Sequence, residues 1–299
     1  MSRLEIKGII PPHITPFTRN GEIDENGLRE DVDWWIESGL HGLVPCGSNG
    51  EAVFLTEDER RRIFTIVIDE ANGRVPVIAG TGMPSTRQTI AMTKLAEDLG
   101  ADAAMVVTPH YFSPMYGQEA LYEHYKMVAE AVDLPILLYN VPKFTNVNLE
   151  PETVARLSEL DNVVGIKDSS GSIGQISSTI QLTKEGFSVM AGTGNIVYPV
   201  LTLGGKGGVI GVSNVAPRLC VDLYNRFMMN DLEGAREIQL RILRLNSAVT
   251  ATHGIPGLKA ALEILGRPAG PPRRPLLPAS EAVREEIKKI MTELGLLAQ

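Results

Sequence analysis

A single lysine, Lys167, ends the apolar run Val163-Val164-Gly165-Ile166, and Asp168, Ser169 and Ser170 follow it. The β-branched bias of the run reads as a buried strand. Burying an ammonium there is costly, whereas a neutral lysine is a nucleophile that forms Schiff bases with carbonyls. The alternative is a lysine that only reaches water at a strand end. Polar residues close the other apolar runs too: Ser48, Asn49 and Glu51; Thr108, His110 and Tyr111; Tyr139 and Asn140; Thr193 and Asn195; Ser213 and Asn214. Tyr139 ends the run before that of Lys167, so a phenol and an imine-forming lysine can meet. With an ordinary pKa of about 10, the phenol carries protons only with help from neighbouring hydroxyls. Gly47-Ser48-Asn49-Gly50 offers backbone N–H groups in a tight turn, a cradle for a carboxylate. Taken singly, each of these is an ordinary strand-end group facing water. Their convergence on a lysine points to function.

For that convergence the runs must be neighbouring strands with their C-terminal ends on one face. Apolar runs fall within 8–17, where three prolines let only part pair, and at 43–46, 76–80, 103–107, 135–140, 163–168, 187–192 and 208–212. Helical patterns separate them. Asp24 is placed to N-cap a helix whose inner face holds Leu28, Val32, Trp35 and Ile36. Thr56 with Glu59 and Ser85 with Gln88 have capping-box spacing, and Pro151 stands at a first helical position. Runs that are apolar throughout are buried on both faces, so the sheet is parallel. Eight of them over about 215 residues predict a closed (β/α)8 TIM barrel. An open doubly wound sheet would usually show Gly-x-Gly-x-x-Gly after its first strand, and none follows Phe17. Beyond residue 216 the strand signal stops, and helices are expected at 219–228, 232–249, 256–265 and 280–294. The chain therefore divides into a barrel, 1–216, carrying the active site, and a C-terminal helical extension, 217–299.

The composition narrows the chemistry. The 299 residues are 43% hydrophobic and 21% charged, with a net charge of −8 and a sequence pI near 5.3. An acidic chain argues against nucleic-acid or anionic-membrane partners. No apolar run is long enough to cross a bilayer, and Met1 to Lys7 show no signal-peptide core. Cys46 and Cys220 are too few for a disulfide framework. A reduced, cytoplasmic setting is expected. His13, His41, His110, His124 and His253 lack ligand spacing, so no metal or other cofactor is expected. Gly80-Thr81-Gly82 and Gly192-Thr193-Gly194-Asn195 are weak phosphate signals with few cations nearby, which discounts a phosphosugar.

Five motifs in order carry a resemblance: Gly47-Ser48-Asn49-Gly50-Glu51, Thr108-Pro109-His110-Tyr111, Tyr139-Asn140-Val141-Pro142, Gly165-Ile166-Lys167-Asp168-Ser169-Ser170 and Gly205-Lys206-Gly207-Gly208-Val209-Ile210. Together with Gly254-Ile255-Pro256-Gly257-Leu258-Lys259, they resemble the dihydrodipicolinate synthase / N-acetylneuraminate lyase superfamily of Schiff-base pyruvate aldolases. The resemblance implies a barrel with helical extension, assembled as a homotetramer, acting on pyruvate and an aldehyde or on the 2-oxo acid they form. Catalytic roles fall to Lys167 as imine former, Tyr139 as acid/base, Ser48 as relay hydroxyl, and Tyr111, reaching into a neighbouring subunit's site. Ser48, Asn49, Ser169, Gly192 and Ile210 would line the substrate. Dihydrodipicolinate synthases generally carry an Arg two residues after the Pro of Tyr-Asn-Val-Pro, where this chain has Phe144. Synthases also usually have Ala-Thr where this chain has Ser169-Ser170, and the Gly47–Glu51 loop, Lys167-Asp168-Ser169 and the Gly254–Lys259 segment look more like 4-hydroxy-2-oxoglutarate aldolase, with the synthase second and a 2-keto-3-deoxy sugar-acid aldolase third. A ligand-binding relic of the family is the non-enzyme alternative.

Overall fold

Seven parallel strands curl around a common axis: β1 (Gly8–Ile10), β2 (Ile78–Gly80), β3 (Ala103–Val107), β4 (Ile136–Asn140), β5 (Val163–Asp168), β6 (Ser188–Ala191) and β7 (Gly207–Val209). Their order is β1-β7-β6-β5-β4-β3-β2, so the first strand pairs with the last. This computed structural model describes residues 4–297; of the N-terminal stretch read for a leader, Met1, Ser2 and Arg3 lie outside them. The gap between β1 and β2 is filled by Leu43 and Val44. The Val44 N–H donates to Pro11 O at 3.0 Å, and Leu43 O accepts the Ile78 N–H at 2.8 Å. The ring is thus a (β/α)8 barrel whose eighth position is two bridging residues. The strand expected at 43–46 does not form, because Pro45 has no N–H to donate and Cys46 turns into the left-handed region at φ 54°.

The run at 208–212 is likewise cut short. β7 ends at Val209, and a 3₁₀ turn (Gly211–Asn214) follows. There Asn214 accepts the Ile14 N–H at 3.1 Å and donates to Pro12 O at 3.3 Å, pinning the ends of the first and last strands together. Asn214 therefore serves the frame and not the chemistry.

Helices surround the sheet, and their ends follow the local signals. Asp24 caps the helix Glu25–Glu37, and Thr56 with Glu59 forms a reciprocal capping box. Ser85 accepts the Gln88 N–H, but the Gln88 side chain bonds the Ser85 hydroxyl and not its backbone, so only half of that box forms. Inside the ring Ile10, Val44, Ile78, Met105, Leu137, Tyr139, Met190 and Val209 pack together. The larger core lies between strands and helices. Residues alternate along a strand, so Leu137 and Tyr139 face the axis while Ile136 and Leu138 face the helices.

After the last strand, helix Pro217–Met228 packs on β1, and helices Leu232–Asn246, Gly254–Ile264 and Glu281–Glu293 follow. The helix expected to run to 249 instead changes at Ser247–Thr252 into a π-helical stretch. Such stretches re-aim side chains and often mark functional sites. No helix among the described residues is long and apolar enough to cross a membrane.

Candidate active site

Tyr139 and Lys167 are register partners on β4 and β5, at the C-terminal end of the barrel. Lys167 is 2% exposed, and its Nζ lies 3.9 Å from the centre of the Tyr139 ring. Burial drives its pKa below the ordinary lysine value, and Tyr139 opposes that shift in part. Among the described residues Lys167 makes no ion pair. The adjacent carboxylate, Asp168, points to the other face of the strand. It accepts from the Ser170 N–H at 2.7 Å, Gln175 Nε2 at 2.8 Å and Asn140 Nδ2 at 3.2 Å. Those donors satisfy Asp168 away from Lys167, so the lysine keeps a neutral, nucleophilic fraction.

The hydroxyl of Ser48 lies 3.4 Å from Tyr139 Oη. Ser48 sits on a turn closed by the Glu51 N–H donating to Ser48 O at 3.1 Å, and fastened by Thr15 Oγ1 donating to Gly50 O at 2.8 Å. The chain enters that turn through Cys46 and leaves it through Glu51, both at positive φ. Strain of this kind gathers at functional sites.

A cavity of about 210 Å³ brings together Ser48, Asn49, Tyr139, Lys167, Ser169 and Gly192. Six of the expected residues thus meet. Gly192 is required where it stands, since a Cβ there would come within 2.6 Å of the backbone oxygen of Asp168 as well as striking Ser169 Oγ. Ser169 Oγ donates to Gly192 O at 3.2 Å. Two expected residues are not brought into the cavity. Ile210 is fully buried and serves the frame, its N–H donating to Ile10 O at 3.1 Å, and the cavity wall is Gly211 instead. Tyr111 is 79% exposed, packs edge-on against Phe112 and does not line the cavity.

Asn246, Thr250 and Ala251 also line the cavity, and the sequence reading missed them. Asn246 accepts the Gly194 N–H at 3.2 Å and donates to Asn195 Oδ1 at 2.9 Å. Its one available signal was an amide and a hydroxyl four residues apart at the end of a helical pattern. A second cavity of about 330 Å³ lies across Tyr139, sharing Ser48, Tyr139, Val141 and Phe144 with the first. Phe144 is 60% exposed at the shared rim. Beside it Lys143 Nζ donates to Ala251 O at 3.4 Å. A neutral lysine, a phenol, a hydroxyl and a turn rich in N–H groups can together bind a 2-oxo acid, form its imine and move its protons.

The profile of the dihydrodipicolinate synthetase family matches residues 5–294. The chain is 44% identical, over 99% of its length and 98% of the relative's, to the 4-hydroxy-tetrahydrodipicolinate synthase of Methanopyrus kandleri. Among solved structures, the dihydrodipicolinate synthase of Thermotoga maritima superposes with a TM-score of 0.95 at 38% identity, covering 98% of this chain and all of that one. YagE of E. coli K12, a prophage protein of the same family solved with pyruvate, superposes with a TM-score of 0.92 at 32% identity, covering 98% and 99%.

Proposed function

The chain belongs to the dihydrodipicolinate synthetase family, whose enzymes act on pyruvate through a Schiff base, and on that premise we propose that it is a 4-hydroxy-tetrahydrodipicolinate synthase. It condenses pyruvate with aspartate semialdehyde. The observation that carries this reading over the 4-hydroxy-2-oxoglutarate aldolase expected from the motifs is the likeness, along nearly the whole chain, to a relative named for the synthase activity.

Neutral Lys167 attacks the keto carbon of pyruvate, and water leaves as the imine forms. Loss of a methyl proton gives an enamine, whose carbon attacks the aldehyde; the semialdehyde's amine then attacks the imine carbon, closing the ring and expelling Lys167 as the free amine. Tyr139, with Ser48 beside it, carries the protons. The Ser48–Asn49 turn holds the pyruvate carboxylate, and Ser169 and Gly192 bound the far wall. The barrel, 1–216, supplies the chemistry, and the extension, 217–299, closes one side through Asn246 and Thr250. Tyr111 completes the relay from a second copy in a homotetramer. Its exposure, with that of Phe112 and Met115, supports a covered face there. A cytoplasmic location is part of the proposal, in keeping with the two free, buried cysteines.

Phe144 favours a second reading, cleavage of a 4-hydroxy-2-oxo acid such as 4-hydroxy-2-oxoglutarate, because a phenyl ring cannot replace a bidentate guanidinium. Lys143, at the same rim, supplies the cation that the synthase reading needs. The deciding measurement is the ratio of specificity constants for semialdehyde condensation and for hydroxy-oxo-acid cleavage. Faster condensation is expected, and faster cleavage would overturn the synthase assignment.

A further inference from the structure

The turn bearing Ser48 and Asn49 ends at Glu51, a non-glycine residue at φ 60°. Such a backbone persists only where its surroundings impose it. Here they are identifiable. The Glu51 side chain is fully buried, and its Oε1 lies 2.7 Å from the Nζ of Lys259, itself 1% exposed. The other oxygen accepts the Arg273 N–H at 2.7 Å. Lys259 Nζ also donates to Pro271 O at 3.1 Å and stands 4.2 Å from the centre of the Phe17 ring. Arg273 covers the same ring and pairs with Glu59. Both residues come from the helical extension, and the carboxylate that takes the ammonium of one and the backbone N–H of the other comes from the barrel.

A buried ion pair gives little net stability over apolar residues of the same shape, so stability alone does not account for this one. Its position does. The residue whose side chain is clamped is the residue whose N–H closes the turn on Ser48 O. We propose that Lys259 is a positioning residue: through its ion pair with Glu51 it holds the Ser48–Asn49 turn in the geometry that receives the substrate carboxylate and keeps Ser48 within reach of Tyr139. This rests on the reading of that turn as the pyruvate cradle. It makes the helical extension part of the apparatus of the site.

The test reads the pyruvate concentration that half-saturates borohydride-trapped adduct, beside the melting temperature, in the full-length protein. It needs no aldehyde, so it is independent of the second substrate. Four variants are compared: Lys259→Met, Lys259→Arg, the double Glu51→Gln/Lys259→Met, and Arg267→Met. The last breaks another ion pair joining extension to barrel, Arg267 with the buried Asp31, and does not touch the turn. Arg267→Met is expected to melt lower with half-saturation unchanged. The double variant leaves no unpaired charge buried at this position, so it is expected to fold even where Lys259→Met does not. It should need about tenfold more pyruvate, and Lys259→Arg should recover part of that loss. Wild-type half-saturation in the double variant would overturn the proposal. So would half-saturation that merely follows melting temperature through all four variants. No adduct in the wild type would overturn the pyruvate reading and this role with it, a result distinct from the other two.

Discussion

Among the described residues two lysines lie buried, each over an aromatic ring: Lys167 over Tyr139 and Lys259 over Phe17. Burial pushes both pKa values down. They differ in what else they touch. Lys259 has a carboxylate at 2.7 Å, which opposes the desolvation and leaves its pKa at about 8. Lys167 has a phenol and a cavity. An ammonium facing a buried carboxylate is a strut. An amine facing a phenol and open space is a nucleophile. Burial alone does not separate the two roles; the partner does.

The largest expected effect breaks that contrast outright. Lys167→Met should give no borohydride-trapped pyruvate adduct and a loss of turnover on the order of 10⁴-fold or more, while Lys259→Met, if folded, still yields the adduct. Peptide mapping by mass spectrometry checks this. An adduct on Lys259, or on any lysine other than Lys167, would show the contrast to be misread. Next in size is the partner itself. Tyr139→Phe keeps the ring beneath Lys167 and removes the proton carrier, so turnover should fall by about 10² to 10⁴-fold with the circular dichroism spectrum unchanged. Near-normal turnover would mean that the protons travel another way.

Much of the first region was legible in the sequence, and almost nothing of the second. Lys167, Tyr139 and Ser48 each end a local apolar run, and the regular βα alternation dictates that such ends share one face. Lys259 and Glu51 are 208 residues apart, as the difference of their numbers gives. Neither stands in a pattern that reports burial, and only the folded chain shows that the extension packs its lysine against the barrel's turn. Local rules also failed where backbone chemistry overrode pattern. Pro45 and the left-handed Cys46 cut the run at 43–46 to two bridging residues. The π-helical stretch at Ser247–Thr252 carried Thr250 and Ala251 into the cavity, just past the point where the expected helix was to end at 249. Ile210 lay in a matching motif yet turned into the frame, one residue short of the wall.

A third cation sharpens the comparison at the rim. Lys143 is exposed; its Nζ donates to the Ala251 carbonyl and lies 5.6 Å from the centre of the Phe144 ring, with no carboxylate partner among the described residues. If it holds the carboxylate of the second substrate, Phe144→Arg should add a bidentate partner beside it and raise the specificity constant for aspartate semialdehyde by about tenfold. The half-saturating pyruvate concentration should stay where it was. A rise in the pyruvate requirement instead would mean that Phe144 packs over the first substrate and not the second.

The smallest expected effect concerns the titration of the strut. In the unfolded chain Lys259 takes the ordinary lysine pKa of 10.5, and in the fold it takes about 8. Between those values the unfolded state binds more protons than the folded one, so this lysine makes stability rise with pH across the window. The depressed value means that the protonated form is the costly one in the fold, and losing the proton relieves that cost while also dissolving the pair with Glu51. Going from about pH 8 to about pH 9, the stability of the wild type relative to Lys259→Met should therefore grow by about 1 kcal/mol, read from denaturant unfolding at each pH. The pyruvate requirement of the wild type should rise over the same interval, although its fold is becoming more stable. A difference between the two proteins that stays flat with pH would show that Lys259 titrates as an ordinary lysine, and the distinction between strut and nucleophile would then have to rest on geometry alone.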